Sequence, residues 1–287
     1  MQNTTIRENF MYAPSIEIEK LDNLFFELTR ENCNLKCKNC YIKRTNYKEV
    51  KDYLKIDKIK NSLLAVKNDV KAIYLTGGEP MIHPEFNKIL RMCLKFADTT
   101  IMTNGTFLNE KKARFFRKID DENNYEIVFV ISMGDWREKE NDEIRGYGNY
   151  RRTMLGINSL LKYEFNPIIS YVNTNNLREE EIFNNFREVF ERIGFEFEKI
   201  NLKIMPDFNN TKEIEANIKI KKPNYDCTNS RIVSARGVFA CPILCNDFRS
   251  RVGSTIDDCS NKVCLDTEKC SICALHNRKI FSHNWIS

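Results

Sequence analysis

Between Cys33 and Tyr41 the chain reads Cys-Asn-Leu-Lys-Cys-Lys-Asn-Cys-Tyr, which sets three thiols at i, i+4 and i+7 of one short stretch. That spacing is a metal-site signature. Three thiolates on one loop can hold three irons of a cubane 4Fe-4S cluster and leave the fourth iron open to a substrate or cofactor. The alternative is a structural zinc knot. Such knots are closed by four ligands, usually in two CxxC-like pairs, and no fourth ligand sits near this stretch.

The stretch resembles the cluster loop of the radical S-adenosylmethionine (radical SAM) enzymes, whose motif CxxxCxxC is matched by Cys33, Cys37 and Cys40 with the aromatic Tyr41 following. Its flanks match too. Phe-Glu-Leu-Thr at 26–29 is similar to the family's first strand, and Asn34-Leu35 to its Cys-Asn-Leu opening. Gly77-Gly78-Glu79-Pro80 falls where the family carries GGEP, and the resemblance extends over roughly residues 21 to 275.

At 287 residues the chain can bury one full core plus a small satellite domain. Hydrophobic residues make up 42% and charged residues 30%, an ordinary balance for a globular protein. No apolar run approaches the roughly 18 residues of a membrane span, and Met1–Phe10 lacks an apolar h-region. A cytoplasmic protein is expected. Eleven cysteines without an export signal point to metal chemistry in a reducing compartment, not to disulfides. The net charge of +5 counts cysteines as neutral. A three-thiolate cluster contributes about −1 and a four-thiolate one about −2, for a net of about +2. Lys and Arg are interspersed with Asp and Glu, so no nucleic-acid module is evident and no membrane partner is expected.

The pattern along the chain alternates. β-rich runs at Leu24–Thr29, Val70–Thr76, Thr99–Thr103, Glu126–Ser132, Pro167–Val172 and Lys199–Met205 are separated by helical stretches, which predicts a parallel sheet. Phe86, Ile89, Leu90, Cys93 and Leu94 form a helical stripe, as do Ile182, Phe183, Phe186, Val189, Phe190 and Ile193, so Cys93 is expected in the core. Six such units are too few for an eight-stranded barrel, which leaves an open partial barrel with ligands beyond the carboxyl ends of its strands. The fold class expected is α/β, a partial (β/α)6 barrel with a small cysteine-rich C-terminal domain. Residues 1–20 read as an arm with one edge strand at Ser15–Ile18, 21–206 as the barrel, and 207–287 as a polar linker and cysteine-rich domain.

In the family, the GGEP motif contacts the amino group of the methionine part of SAM. Glycines allow close approach, while Glu79 and adjacent carbonyls can accept from an ammonium group. On this reading Gly78→Val keeps the iron and loses SAM affinity. His83 reads as a loop residue. Val128–Met133 and Ile144–Gly146 resemble a subgroup pattern in which a strand ends in Ser and a later loop carries Ile-Arg-Gly. Ser132 then suits a ribose hydroxyl or carboxylate, and Arg145 offers a planar fork for the methionine carboxylate. The subgroup's Ser-Leu-Asp-Gly is replaced by Ser132-Met133-Gly134-Asp135, which moves Asp135 by one position. Asn104, in Thr-Asn-Gly, reads as either a cofactor contact or a turn residue.

Residues 227–273 hold seven of the eleven cysteines. Gly237–Cys241 looks like a hairpin presenting a thiolate, and Cys270-Ser-Ile-Cys273 is a CxxC pair. This resembles the SPASM or twitch extension of radical SAM enzymes, which carries auxiliary 4Fe-4S clusters. With no cysteine after Cys273, one auxiliary cluster on Cys227, Cys241, Cys270 and Cys273 is expected, with Cys245, Cys259 and Cys264 unassigned. A zinc ribbon on the same ligands is the alternative.

The resemblance implies reductive cleavage of SAM to a 5′-deoxyadenosyl radical, which removes hydrogen from a small-molecule or peptide substrate. An electron donor such as flavodoxin or ferredoxin is implied as a partner. An auxiliary cluster offers an electron acceptor, so net oxidation or bond formation is expected. Residues 1–20 are too short for the leader-reading domain of many peptide-modifying relatives. Two other classes compete: a redox or metal sensor without turnover, and an RNA-modifying enzyme of the same chemistry.

Overall fold

The computed structural model describes residues 15–17, 20–42, 53–66, 70–209, 230–245, 247–265 and 269–275. Cys227 and nearly all of the polar stretch that follows Pro206 lie outside the described residues. Six strands follow the predicted alternation: β2 (Asn23–Thr29), β3 (Ala72–Gly77), β4 (Asp98–Thr103), β5 (Ile127–Met133), β6 (Ile168–Asn173) and β7 (Leu202–Pro206). Between them run α1 (Ile56–Val66), α2 (Phe86–Cys93), α3 (Glu110–Asp121), α4 (Glu138–Arg145), α5 (Asn149–Lys162) and α6 (Glu179–Glu191). Every neighbouring pair from β2 to β7 is parallel. The expected parallel α/β architecture is therefore present.

The sheet is larger than its sequence pattern indicates. A seventh parallel strand, β8 (Ser230–Ser234), pairs with the other side of β2, from Asn23 beside Ser230 to Phe26 beside Val233. β9 (Gly237–Phe239) and β10 (Arg251–Gly253) continue it antiparallel, giving nine strands in the order β10-β9-β8-β2-β3-β4-β5-β6-β7. β8 escapes a sequence reading because it is short and carries Arg231 near its centre. The arm strand is β1 (Ser15–Glu17), which pairs antiparallel with β11 (Lys262–Cys264) outside the main sheet. Lys199–Asn201, expected as strand, is a 3-10 turn braced by a capping box between Glu198 and Asn201. The last described helix is α7 (Lys269–Leu275).

Strand periodicity divides the interior into two layers. Leu24, Phe26 and Leu28 of β2 face the helices, joined by Ile73, Ile101, Phe129, Ile169 and Ile204 from the other strands. Phe86, Ile89, Leu90 and Cys93 of α2 and Ile182, Phe186 and Phe190 of α6 complete that core. Cys93 is fully buried, and desolvation pushes its thiol far above its ordinary value. On the inner face of the curved sheet, Phe25, Ala72, Tyr74, Ile232, Phe239 and Cys245 form a separate cluster, with the Phe25 and Tyr74 rings stacked at 4.2 Å. That fills the lumen beside β8, β2 and β3. Across the sheet, the inner positions Ser132, Ser170, Val172, Lys203 and Met205 are half-buried, while Val130 and Ile168 are buried. Among the described residues no helix is long and apolar enough to cross a membrane.

Candidate active site

The cysteine loop leaves the carboxyl end of β2, and neighbouring strand ends hold it. Gly78 N–H donates to the Thr29 carbonyl at 2.7 Å and Glu79 N–H to the Asn32 carbonyl at 3.0 Å. Asn104, just past β4, donates through Nδ2 to Asn34 Oδ1 at 2.9 Å and lies 3.8 Å from Cys33 Sγ. Asn34 Nδ2 in turn donates to Thr106 Oγ1 at 2.8 Å. From the far side, Lys38 N–H donates to the Ile144 carbonyl at 2.9 Å, which ties the loop to the end of α4. Asn104 is thus both a turn residue and a clamp on the cluster loop, since its Oδ1 also accepts from Thr106 N–H at 2.9 Å.

Cys33, Cys37 and Cys40 are all half-buried on this clamped loop, and none is in a disulfide. Leu35 and Ile42 anchor it by burying their side chains. Among the described residues no three His, Cys, Asp or Glu side chains converge on a single metal position. A cubane asks for a different arrangement, because each thiolate binds its own iron. Three thiols on one braced loop at a strand-end rim fit that group by ligand type and number.

Two expectations for the GGEP stretch need correction. The Glu79 carboxylate does not face a ligand. It is fully buried, and accepts from Thr103 Oγ1 at 2.9 and 3.0 Å, from Asn104 N–H at 3.0 Å and from Met81 N–H at 3.1 Å. Desolvation raises its pKa, while those three donors pull the other way. Glu79 therefore pins the Pro80–Ile82 turn to the end of β4. The close approach allowed by the glycines is also internal. A Cβ on Gly77 would stand 2.1 Å from the Thr29 carbonyl oxygen, and one on Gly78 2.4 Å from that of Asn32. A valine at 78 would push the cysteine loop itself, so this glycine positions the loop. His83 is structural, as expected, with Nε2 3.0 Å from the Leu54 carbonyl.

The end of β5 and the end of α4 meet beside this loop. A Cβ on Gly134 would lie 3.1 Å from Arg145 Cγ and 3.1 Å from Ile144 Cβ, so Gly134 lets the helix end close on the strand. Asp135 is buried and accepts from Arg137 N–H at 2.9 Å and Nε at 3.0 Å, which gives it a role in the turn. Ser132 is half-buried on the inner face, and its backbone pairs with Ser170 in the β5–β6 ladder. Arg145 is only 8% exposed, yet its Nε has no hydrogen-bond partner among the described residues. A buried guanidinium lacking such a partner costs about 1–3 kcal/mol, a cost that an incoming carboxylate would remove.

The second group of cysteines lies where the C-terminal stretch returns to the lumen. Cys241 and Cys270 pack with Ala240, Leu244, Val263 and Leu265, while Cys241 and Cys273 pack with Phe208, Ile243 and Ile272. Three of the four expected auxiliary ligands thus gather around Cys241. The other unassigned cysteines part company: Cys245 is buried, Cys259 packs on the main core and Cys264 is exposed. Tyr41, next to Cys40, packs in the apolar group of Cys241 and Cys273, and its hydroxyl bonds the Thr76 side chain. Desolvation pushes the Tyr41 hydroxyl well above its ordinary range.

Other lumen residues are not evident from motifs. Glu27 accepts from Arg30 Nη1 at 2.6 Å and lies 3.5 Å from both Arg236 Nη2 and Cys245 Sγ. Desolvation, with the Glu27 carboxylate second, pushes the Cys245 thiol up to about 12. Lys203 lies on the inner face of β7, where desolvation draws its ammonium well below its ordinary value and the neighbouring Cys273 opposes that shift. The available signal was a charged residue at an alternate position of an otherwise apolar strand.

A family model described as the Radical SAM superfamily matches residues 29–193. The antilisterial bacteriocin subtilosin biosynthesis protein AlbA of Bacillus subtilis is 30% identical over 131 residues, 45% of this chain and 28% of that protein. A serine-type anaerobic sulfatase-maturating enzyme of Bacteroides thetaiotaomicron is 28% identical over 177 residues, 55% of this chain and 41% of that one. The chain therefore spans well under half the length of these two relatives. A probable GTP 3′,8-cyclase of Saccharolobus islandicus is 25% identical over 83% of this chain and 82% of that protein. Among solved structures, AdoMet-bound native anSMEcpe has a TM-score of 0.60 at 16% identity, covering 82% of this chain and 79% of that one. Streptococcus suis SuiB bound to precursor peptide SuiA has a TM-score of 0.61 at 15% identity, covering 84% and 64%. Those two likenesses show a shared fold. With three thiols in CxxxCxxC spacing at the rim of a parallel sheet, and a family match over more than half its length, the chain belongs to the radical SAM superfamily.

Proposed function

We propose that this protein is a radical SAM enzyme that abstracts hydrogen from a peptide substrate. Cys33, Cys37 and Cys40 would hold the SAM-cleaving 4Fe-4S cluster. Such a cluster, with SAM bound and one electron supplied by a flavodoxin- or ferredoxin-like donor, provides a 5′-deoxyadenosyl radical. The protein's own residues bind and orient. Arg145 takes the methionine carboxylate in its fork, Ser132 takes a ribose hydroxyl, and the backbone carbonyls of Gly77 and Gly78 receive the amino group.

The observation that carries this reading is Arg145, a buried cation whose Nε lacks a partner among the described residues, beside the clamped cysteine loop. A sensor without turnover needs no carboxylate receptor there. Peptide is favoured as substrate because relatives are named for bacteriocin biosynthesis and sulfatase maturation, and SuiB is bound to a precursor peptide. Anaerobic reconstitution of a triple Cys33, Cys37, Cys40→Ala variant should lose about four irons per chain and all 5′-deoxyadenosine release. Retained release would refute the proposal.

The auxiliary site belongs to the same proposal. Cys241, Cys270 and Cys273, with Cys227, would hold a second 4Fe-4S cluster in a C-terminal unit after residue 206. An electron acceptor there favours net oxidation or bond formation, giving a product lighter by two hydrogens. Mössbauer counting of the wild-type protein should find about eight irons. Zinc on those ligands, or a product of unchanged mass, would overturn this part.

A further inference from the structure

Cys33 Sγ receives two N–H groups from the chain around it. The Leu35 amide lies 3.4 Å away on the cysteine loop itself, and the side-chain amide of Asn104 reaches it at 3.8 Å from beyond the end of β4. Asn104 is only 6% exposed, and each of its polar groups is engaged. Its N–H donates to Glu79 Oε2 at 3.0 Å and its carbonyl accepts from Thr153 Oγ1 at 3.0 Å, which fixes the backbone. Its Oδ1 accepts from Thr106 N–H at 2.9 Å and from Thr106 Oγ1 at 2.6 Å. A backbone N–H can only donate, so the amide has one orientation, and both Nδ2 hydrogens face the cysteine loop. One goes to Asn34 Oδ1 at 2.9 Å, the other to Cys33 Sγ.

From this arrangement we infer that Asn104 is a positioning residue that acts through Cys33: its side-chain N–H to the sulfur raises the reduction potential of the cluster carried by Cys33, Cys37 and Cys40. The inference rests on the cluster assignment proposed above. Taking up one electron brings a three-thiolate 4Fe-4S cluster from about −1 to about −2, ligands included, and part of the added charge falls on sulfur. An N–H dipole aimed at that sulfur favours the more negative state, so the bond makes the cluster easier to reduce. The Leu35 amide belongs to the loop that wraps the cluster in any case. Asn104 comes from a different strand end, and because its amide is already held in place, it needs no reorganisation when the electron arrives. Without its bond, an electron donor of fixed potential would leave the ratio of reduced to oxidised cluster about tenfold lower.

The test is an anaerobic potentiometric titration of the full-length, reconstituted protein, poised with dithionite and redox mediators and read by electron paramagnetic resonance. The signal that changes on adding SAM belongs to this cluster, which separates it from an auxiliary one. Asn104→Leu, which keeps the volume and removes the donor, should load the same iron and lower the midpoint by about 59 mV, the one-electron equivalent of a tenfold change in the reduction equilibrium. Asn104→Asp should lower it further, since a carboxylate then faces the thiolate. Asn34→Ala removes the loop contact but keeps the N–H to sulfur, and should leave the midpoint unchanged. A midpoint at or above the wild-type value in either iron-loaded Asn104 variant would overturn the inference alone. An equal fall in Asn34→Ala would also overturn it, because the effect would then come from the clamp, and so would loss of iron from both Asn104 variants, which would make the residue structural only. Absence of any SAM-sensitive signal in the wild type would refute the proposed function, and this inference with it.

Discussion

Gly78 lies so close beneath Asn32 that a β-carbon there would stand 2.4 Å from the Asn32 carbonyl oxygen. The obstacle is backbone, not a flexible side chain, so the cysteine loop must move to relieve it. Gly78→Ala should therefore lower iron content after reconstitution as well as SAM affinity, and Gly78→Val should abolish both. Iron per chain and SAM binding measured on the same preparation check this. Full iron with lost SAM affinity would show that the glycine faces the ligand instead.

Arg145 separates binding from stability. Its Nε has no hydrogen-bond partner among the described residues, so Arg145→Met should leave the melting temperature within a degree or two or raise it slightly. SAM affinity should fall about tenfold or more, the loss expected for a charge-assisted hydrogen bond. Arg145→Lys should restore only part of it, because a point charge cannot reproduce a planar fork. Anaerobic titration calorimetry paired with a thermal melt distinguishes these outcomes.

Glu27 holds the C-terminal hairpin to the first barrel strand. Its side chain is 5% exposed, as is that of Arg30, while Arg236, reaching in from the β8–β9 turn, is 42% exposed. Removing the acid takes away the 2.6 Å partner of a buried guanidinium, so Glu27→Ala should cost about 3–5 kcal/mol in denaturant unfolding. Arg236→Ala should cost about 1 kcal/mol or less, since the longer, wetter pair contributes little. Equal costs would mean that the hairpin is held mainly by Arg236.

Asp142 sets an acid limit on the turn that follows Arg145 at the end of α4. Its carboxylate accepts from Gly148 N–H at 2.6 Å and Tyr150 N–H at 2.8 Å. Desolvation opposes ionisation, but these bonds outweigh it and hold the pKa below its ordinary value. The ionised acid thus favours the folded state above the ordinary carboxylate value, and that contribution is lost as pH falls through the lower folded-state value. Asp142→Asn should be about 1 kcal/mol less stable at neutral pH. The two proteins should converge as the medium becomes strongly acidic, which unfolding curves across that range would show.

What could be read in the sequence followed local rules. The CxxxCxxC spacing, the strand-helix alternation and the stripe ending at Cys93 each depend on neighbours within a few turns of chain. What could not be read depends on closure of the sheet. Glu79 looked like a ligand because its partners Thr103 and Asn104 belong to the next strand. Glu27 and Lys203 drew no reading from the sequence because nothing local says which way their strand faces turn. The grouping of Cys241, Cys270 and Cys273 was expected from the hairpin and CxxC resemblance, whereas the burial of Cys245 beside Glu27 depends on closure of the sheet.

The pairing of Asn23 with Ser230 also sets a schedule for biosynthesis. About 200 residues separate the partners, and a ribosome adding roughly 5–20 residues per second takes on the order of ten seconds or more to traverse them. Throughout that interval one edge of the first barrel strand has no neighbour, and its row of unmet amide and carbonyl groups is a template for pairing with other nascent chains. Yield in a heterologous host should therefore respond to chaperone supply and translation speed more than to the stability of the finished protein.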